Sequence, residues 1–361
     1  VVYRVIEERG ELLHHGVSVK PGKPMLVGRL GGAAYVGLPG FPVSALTIFR
    51  TFVAPRVREA AGLPEPRTAT VSGRMAVQER YGEGRTRFLP VGLIENGDGE
   101  TLIYPVDKGS GATTSLVAAD GFVEVNADTE YLAADETVTV NLFSPDGRAP
   151  SLLGAGEDDP LLSSLLDDLD RPRYLEVGSR EGVRRFRDGI PDFVVAAEST
   201  DRDATGSRIA SWDREWGLVL PAGNPGDITG LDSVVDGEYR FVNRDRDSSL
   251  RAALEGAMAD LAGERGVDVE ELRAAIDGFD FTVRGHQSPA RRVTRGAADV
   301  GLGLRTTAET LETGFVSLGW ERVRVTLAEG RREKDGVAQL ESVVTEELDE
   351  QLEETIGYRQ G

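Results

Sequence analysis

Residues 10–30 read GELLHHGVSVKPGKPMLVGRL. Both ends, ELLHHGVSV and MLVGRL, are strand-like, and Lys20, Pro21, Gly22, Lys23 and Pro24 form a loop between them. The loop holds two of the chain's four lysines, the others being Lys108 and Lys334. Pro21 and Pro24 stiffen the backbone and Gly22 lets it turn, so two ammonium groups are held close with little entropy left to lose. Such charges repel one another. The arrangement suits an anion seated between them, the alternative being a solvated connecting turn.

Working outward, VVYRVIEERG reads as a helix with Val2, Val5 and Ile6 on its apolar face and Gly10 closing it. The chain opens as if already inside that helix, so a fragment is expected. Downstream, AAYVGLP is a second short strand, and a helix is predicted from about Ser44 to Ala61. GLPGFPVSA, residues 37–45, delivers Ser44 to the helix start, where it can cap the helix or stand beside N–H groups suited to phosphate. This order predicts part of an α/β sheet over residues 1–62.

Residues 63–145 change character. TATVSGRMAV, RTRFLPVGLI, TLIYPV, FVEVNA and ETVTVNLF are short β-rich segments separated by turn-formers, which predicts a small β-barrel or sandwich. Residues 146–159 are rich in Gly, Pro, Asp and Ser and are expected to be a linker. Residues 160–361 then alternate strand, loop and helix as a second α/β domain, ending in an acidic helix, ESVVTEELDEQLEETIGYRQG. The predicted fold class is therefore α/β multidomain.

The 361 residues carry 61 acidic and 41 basic side chains, a net charge of -20. That balance excludes a basic footprint for nucleic acid. Scarce lysine and abundant carboxylate match a cytosolic protein of a salt-loving organism. There is no cysteine, hence no disulfide, thiolate nucleophile or Cys-based metal site. No apolar run approaches the ~18 residues of a membrane span, so a cytoplasmic protein without membrane contact is expected. His14 and His15 are adjacent in a strand and face opposite ways, so they cannot share a metal.

GELLHHGVSVKPGKPMLVGRL followed by GLPGFPVSAL resembles the molybdopterin molybdotransferases, the MoeA and gephyrin E-domain family. GEGRTRFLPV, YPVDKGSGATTSLVAADGFVEV and DETVTVNLF follow in the order of that family's small β-domain, so the resemblance covers residues 1 to about 145. It implies the C-terminal part of an αβα molybdopterin-binding domain, a β-barrel domain, a homodimer, and insertion of molybdate into adenylylated molybdopterin with release of AMP and assistance from Mg²⁺. It further implies that Lys20, Lys23, Arg85 and Ser115 hold the oxyanion, with Pro21, Gly40, Pro42 and Ser44 on the cofactor side. Tungstate in place of molybdate fits the same residue types, and the alternative to an enzyme is a molybdate or tungstate sensor. Pro90 stands where relatives often carry a second arginine, and the family's Gly-rich motif with its Asp would lie upstream of Val1.

The second half resembles the two-lobed, periplasmic-binding-protein-like domains, related to the effector domains of LysR-type regulators, on GLVLPAGNPGDITGLDSV, YRFVNRDRDSSLR and RRVTRGAADVGLGLRTTA. That resemblance implies a small ligand lined by Asn243, Arg244, Ser248, Ser249, His286 and Gly301. Ser248 and Ser249 could equally be helix caps, and His286 a polar loop residue. Where relatives often place a Gly-Ser-His-Asp element, this chain has GEDDP, with Glu157, Asp158 and Asp159 at a helix start. Carboxylates there favour the helix dipole and repel an oxyanion.

Overall fold

A computed structural model describes residues 2–106, 118–200 and 204–361. The chain forms two compact units that meet in sequence between Pro150 and Ser151. Among the described residues no helix is long and apolar enough to cross a membrane.

In the first unit the helix Val2–Arg9 is followed by β1 (Gly10–His15), β2 (Val19–Lys20), β3 (Leu26–Leu30) and β4 (Ala33–Gly37). Strands β1, β3 and β4 form an antiparallel sheet in that order. The next helix starts at Pro42, two residues before the predicted start, and runs through a π-helical stretch to Ala60. Proline is suited to a first helical position, because its missing N–H would have no helical partner there.

The strands β5 (Thr70–Met75), β6 (Glu79–Arg80), β7 (Thr86–Glu95), β8 (Thr101–Pro105), β9 (Gly121–Val125), β10 (Tyr131–Leu132) and β11 (Thr137–Leu142) complete this unit. One sheet runs β2-β7-β8-β5-β11-β9, and β9 also pairs with β7, so the sheet closes as the predicted small barrel. Closure leaves no open edge along the paired strands. Met75, Leu89, Val91, Leu93, Ile103 and Val140 fill its core. Outside the ring, β2 lies parallel to β7, with Val19 opposite Thr86 and Lys20 opposite Arg87. This pairing carries the lysine loop to the barrel.

The second unit comprises β12 (Leu152–Gly156), β13 (Pro172–Glu176), β14 (Phe193–Ala197), β15 (Ser207–Leu220), β16 (Phe241–Arg244), β17 (Thr282–Val283), β18 (Val300–Leu304), β19 (Gly314–Leu327) and β20 (Tyr358–Gln360). The sheet order is β13-β12-β14-β19-β15-β18-β16-β17, with β20 added to β15. Strands β15 and β19 pair antiparallel from Ser207 opposite Leu327 to Leu220 opposite Gly314. They run through two hydrophobic clusters. Trp212, Val323 and Val325 belong to one with Leu152, Leu161 and Phe193; Trp216, Leu218 and Leu220 belong to the other with Leu254, Met258 and Leu302. The unit is thus two-lobed, and the chain crosses between lobes on both long strands.

Two sequence expectations change here. Residues 146–159 are not a linker throughout, because Leu152–Gly156 form a fully buried strand between β13 and β14. Its glycines answer to close packing, not to flexibility: a Cβ on Gly154 would lie 2.2 Å from the Phe193 ring, and one on Gly156, at φ +140°, 1.9 Å from the Val195 carbonyl oxygen. Strand β15 begins at Ser207, well before the apolar WGLVL that marks it in sequence, because Asp213, Arg214 and Glu215 interrupt the apolar pattern. The acidic C-terminal helix, Asp335–Glu354, buries Val337, Leu340, Val344 and Leu352, and the chain then turns into β20.

Replacing Gly156 with alanine should therefore destabilise the second unit by about 2–5 kcal/mol, from backbone strain and overpacking together. Urea denaturation followed by circular dichroism measures this; an unchanged midpoint would refute the packing role given to Gly156.

Candidate functional site

In the first unit, a cavity of about 940 Å³ is lined by the KPGKP loop, by Pro39, Gly40, Phe41, Val43 and Ser44 before and within the following helix, and by Glu83, Arg85, Arg87, Phe88 and Pro90 of the barrel. Gly22 sits at φ +125° against the Ile48 side chain, where a Cβ would come within 2.5 Å, so the loop packs directly on the helix. The Lys20–Pro21 peptide is cis. Lys20 Nζ donates to Glu83 Oε1 at 2.6 Å, and Arg85 also pairs with Glu83. The hydrogen bond from Lys20, followed by the charges of Lys20 and Arg85, holds the Glu83 carboxyl below its ordinary range. The Lys23 ammonium has no hydrogen-bond or ion-pair partner among the described residues, while its carbonyl accepts from Val17 N–H. Arg87 is buried, pairs with Glu79 at 2.8 Å and lies 5.0 Å from the Tyr81 ring centroid.

The structure thus brings Lys20, Pro21, Lys23, Gly40, Ser44 and Arg85 to one cavity. Pro42 opens the helix but is not among the lining residues, and Ser115 lies outside the described residues. Ser44 is buried in the first turn and does not cap: the cap position is Phe41, which has no side chain to accept a hydrogen bond. Sequence reasoning missed Glu83 and Arg87. Arg87 was legible in principle, since residues two apart on a strand share a face with Arg85. Glu83 was not, because only the folded loop places it against Lys20.

In the second unit the three carboxylates of GEDDP are all buried and each has a separate task. Asp159 caps the helix Pro160–Asp167 by accepting from the N–H groups of Leu161 and Leu162, and also accepts from Trp212 Nε1 and the Tyr358 hydroxyl. Asp158 accepts from the His286 N–H at 2.6 Å and meets its Nδ1 at 2.7 Å. Glu157 Oε1 accepts the first N–H of two helices, Ser179 at 2.8 Å and Ser249 at 2.7 Å.

Arg214, 1% exposed on the long crossing strand β15, ties these together. Its guanidinium donates to Asp159 at 2.9 Å, to Glu157 at 3.2 Å, to the Ser249 hydroxyl at 3.0 Å and to Glu321 at 2.7 and 3.0 Å. Arg214 and Glu321 face each other across β15 and β19. Burial alone would raise the Glu157 carboxyl, but Arg214, Arg244 and the hydrogen bonds from Ser249 and Ser179 outweigh it and hold it below its ordinary range. Burial pushes Glu321 up, and the nearby Glu157 charge adds to that.

Of the ligand-lining residues expected here, Asn243 is engaged by backbone: its amide donates to Phe279 and accepts from Arg244 N–H. The Ser249 hydroxyl bridges Arg214 and Glu321, His286 is held by Asp158, and Gly301 lies under Pro289 with a Cβ position 2.9 Å away. Ser248 occupies a cap position without a side-chain hydrogen bond. Only Arg244 and Ser248 combine burial with unpartnered side-chain atoms. Nothing in the sequence pattern pointed to Arg214 as the hub, because a charged triplet in a strand usually marks an exposed edge.

Changing Arg214 to methionine would leave Glu157, Asp159 and Glu321 buried without their common cation, and should cost about 3–5 kcal/mol. A thermal melt of the variant checks this, a shift of a degree or less being the contrary result. Asp158 titrates below its ordinary range: burial opposes this, and the hydrogen bonds and charge of His286 overcome it. Its stabilisation is complete above the unfolded-state value and is lost as pH falls through the lower native value. The stability difference between wild type and Asp158→Asn should therefore shrink on titration from pH 7 towards pH 3; a constant difference would contradict the pairing.

Comparison with known proteins agrees with this division. Residues 1–59 match a family described as a probable molybdopterin binding domain, residues 72–143 the MoeA C-terminal region (domain IV), and residues 171–345 the PBP superfamily domain. A molybdopterin molybdenumtransferase of Haemophilus influenzae is 29% identical over 142 residues, covering 39% of this chain and 35% of the relative. Molybdopterin molybdenumtransferase 2 of Mycobacterium tuberculosis is 32% identical over 124 residues, 34% of this chain and 30% of the relative. The crystal structure of a molybdopterin biosynthesis MoeA protein from Pyrococcus horikosii aligns at 41% identity and TM-score 0.34, over 39% of this chain and 34% of that one. This chain spans about a third of the length of the curated relatives it matches. Residues 1–143 thus carry MoeA-family segments, and the chain joins them to a PBP-superfamily domain.

Proposed function

We propose that the first unit acts in molybdenum cofactor biosynthesis, holding molybdate, or the equally sized tungstate, for insertion into adenylylated molybdopterin with release of AMP. The observation that carries this reading is the convergence of Lys20, Lys23, Arg85 and Arg87 on one cavity that, among the described residues, contains a single carboxylate, Glu83. A tetrahedral dianion takes several donors and positive charge around it. Lys23 supplies an ammonium without a partner among the described residues, while Lys20 and Arg85 are held ready by Glu83, an exposed counter-ion that a dianion displaces without desolvating a buried group.

The chemistry asks for positioning and charge stabilisation, not for a covalent intermediate on the protein. Lys20, Lys23 and Arg85 hold the oxyanion while the two dithiolene thiols displace one oxo ligand from the metal as water, and water hydrolyses the phosphoanhydride to release AMP. Ser44 and Gly40, at the helix side of the cavity, face the molybdopterin. The described residues do not fit Mg²⁺, because among them Glu83 is the cavity's one acidic side chain and is engaged by two cations. No step here is assigned to Mg²⁺. The second unit is read as a domain that binds a small ligand.

Lys20→Ala combined with Lys23→Ala in the intact protein should lower molybdate-dependent AMP release from adenylylated molybdopterin at least 100-fold, with the thermal midpoint nearly unchanged because both side chains reach solvent. Release at the wild-type rate would exclude this site.

A further inference from the structure

Two helices in the second unit, Ser179–Arg187 and Ser249–Arg265, point their N-termini at one place. Such a place suits an anion, since first-turn N–H groups and the positive helix ends converge there. It is already filled. Glu157 Oε1 receives both helix-starting N–H groups and Oε2 receives Arg214, on a side chain that is 1% exposed. The chain has supplied its own carboxylate where a free oxyanion would otherwise sit. A second dianion nearby would meet Glu157 and Asp158 at close range and be repelled.

Beside Glu157 lies a small cavity of about 30 Å³, lined by Asp158, Gly178, Arg244, Asp245, Ser248 and Gly285, with the exposed Glu176 and Arg284 also bordering it. Arg244 is 3% exposed, its Nε has no hydrogen bond, and its guanidinium has no ion-pair partner among the described residues. Ser248, 2% exposed, likewise leaves its hydroxyl unpartnered. Burial pushes the Arg244 guanidinium down from its ordinary value. The buried Asp158 and the half-buried Asp245 are engaged elsewhere: Asp158 by His286, and Asp245 by the N–H groups of Asp247 and Ser248. A buried guanidinium and a buried hydroxyl, both open to one cavity, are costly unless an acceptor joins them.

We propose that this cavity takes a small singly charged anion of the carboxylate class, accepted by Arg244 and Ser248, and that Glu157 excludes tetrahedral dianions such as molybdate and sulfate from the adjoining helix N-termini. The proposal rests on the reading of the second unit as a ligand-binding domain and names the class of that ligand. Charge and size agree. Arg244 feels the charges of Glu157, Asp158 and Asp245 but forms no ion pair with them, so its guanidinium keeps donors for one small acceptor. A cavity of this volume holds roughly two water-sized groups, the two oxygens of a carboxylate.

The test uses the intact protein carrying Lys20→Ala and Lys23→Ala, so that the first unit contributes no anion site, with the backbone amide signals of Ser179, Arg244, Ser248 and Ser249 as readout. Formate and acetate should shift the Arg244 and Ser248 signals saturably, while sulfate and molybdate leave all four unmoved. Arg244→Met should raise the formate midpoint at least tenfold. Glu157→Ala should gain sulfate binding at Ser179 and Ser249; if it does not fold, the other titrations decide alone. Saturable binding of sulfate or molybdate with Glu157 in place would overturn the ligand class and leave the binding reading standing. Formate binding unaffected by Arg244→Met would overturn the role of Arg244. No response to any of these anions would overturn the proposal and count against the binding reading as well.

Discussion

A charge taken out of water must bring its counter-charge with it, and the second unit is organised around one such requirement at Arg214. Desolvating a guanidinium costs several kcal/mol, recovered only when good geometry supplies partners on every side. Glu157 and Asp159 come from the loop after β12, Glu321 from β19, and the Ser249 hydroxyl from the start of a helix distant in sequence. Each partner therefore fixes the placement of its own element. The two long strands cross between lobes at the point where this network sits, so one ion cluster sets the geometry at the crossover and at the helix N-termini beside it.

The first unit shows the same pairing under the opposite solvent condition. Glu83 bridges Lys20 and Arg85 much as Glu157 bridges two helix ends and Arg214, yet its side chain is 41% exposed against 1%. That difference decides what each carboxylate can do. Water and salt compete with an exposed pair, so the contacts of Glu83 are weak and exchangeable. Glu157 has no water to return to. It behaves as a fixed part of the structure, beside the unpartnered side-chain atoms of Arg244 and Ser248.

Local pattern was a good guide where function and covalent geometry coincide. The KPGKP loop, the strands flanking it and the barrel segments were legible because Pro, Gly and period-two alternation act on near neighbours. The same logic failed for LLGAG, whose glycines read as a linker although they are demanded by Phe193 and Val195 packing on β14. It failed again for the start of β15, where Asp213, Arg214 and Glu215 look solvent-facing by sequence and meet distant partners in Arg322, Glu321 and Arg305 respectively.

By itself, then, the sequence determined the class of each region, the stiff loop that presents Lys20 and Lys23, and the placement of three carboxylates at a helix start, since these depend on backbone preferences and on residues adjacent in the chain. Only the tertiary structure decided what those groups meet. The parallel pairing of β2 with β7 sets the lysines beside Glu83 and Arg85, and the crossing of β15 and β19 turns GEDDP from a surface cap into the buried counter-charge of Arg214. The physical reason is that an ionic group's role depends on which opposite charge reaches it and whether water does, and both are settled by contacts between distant segments.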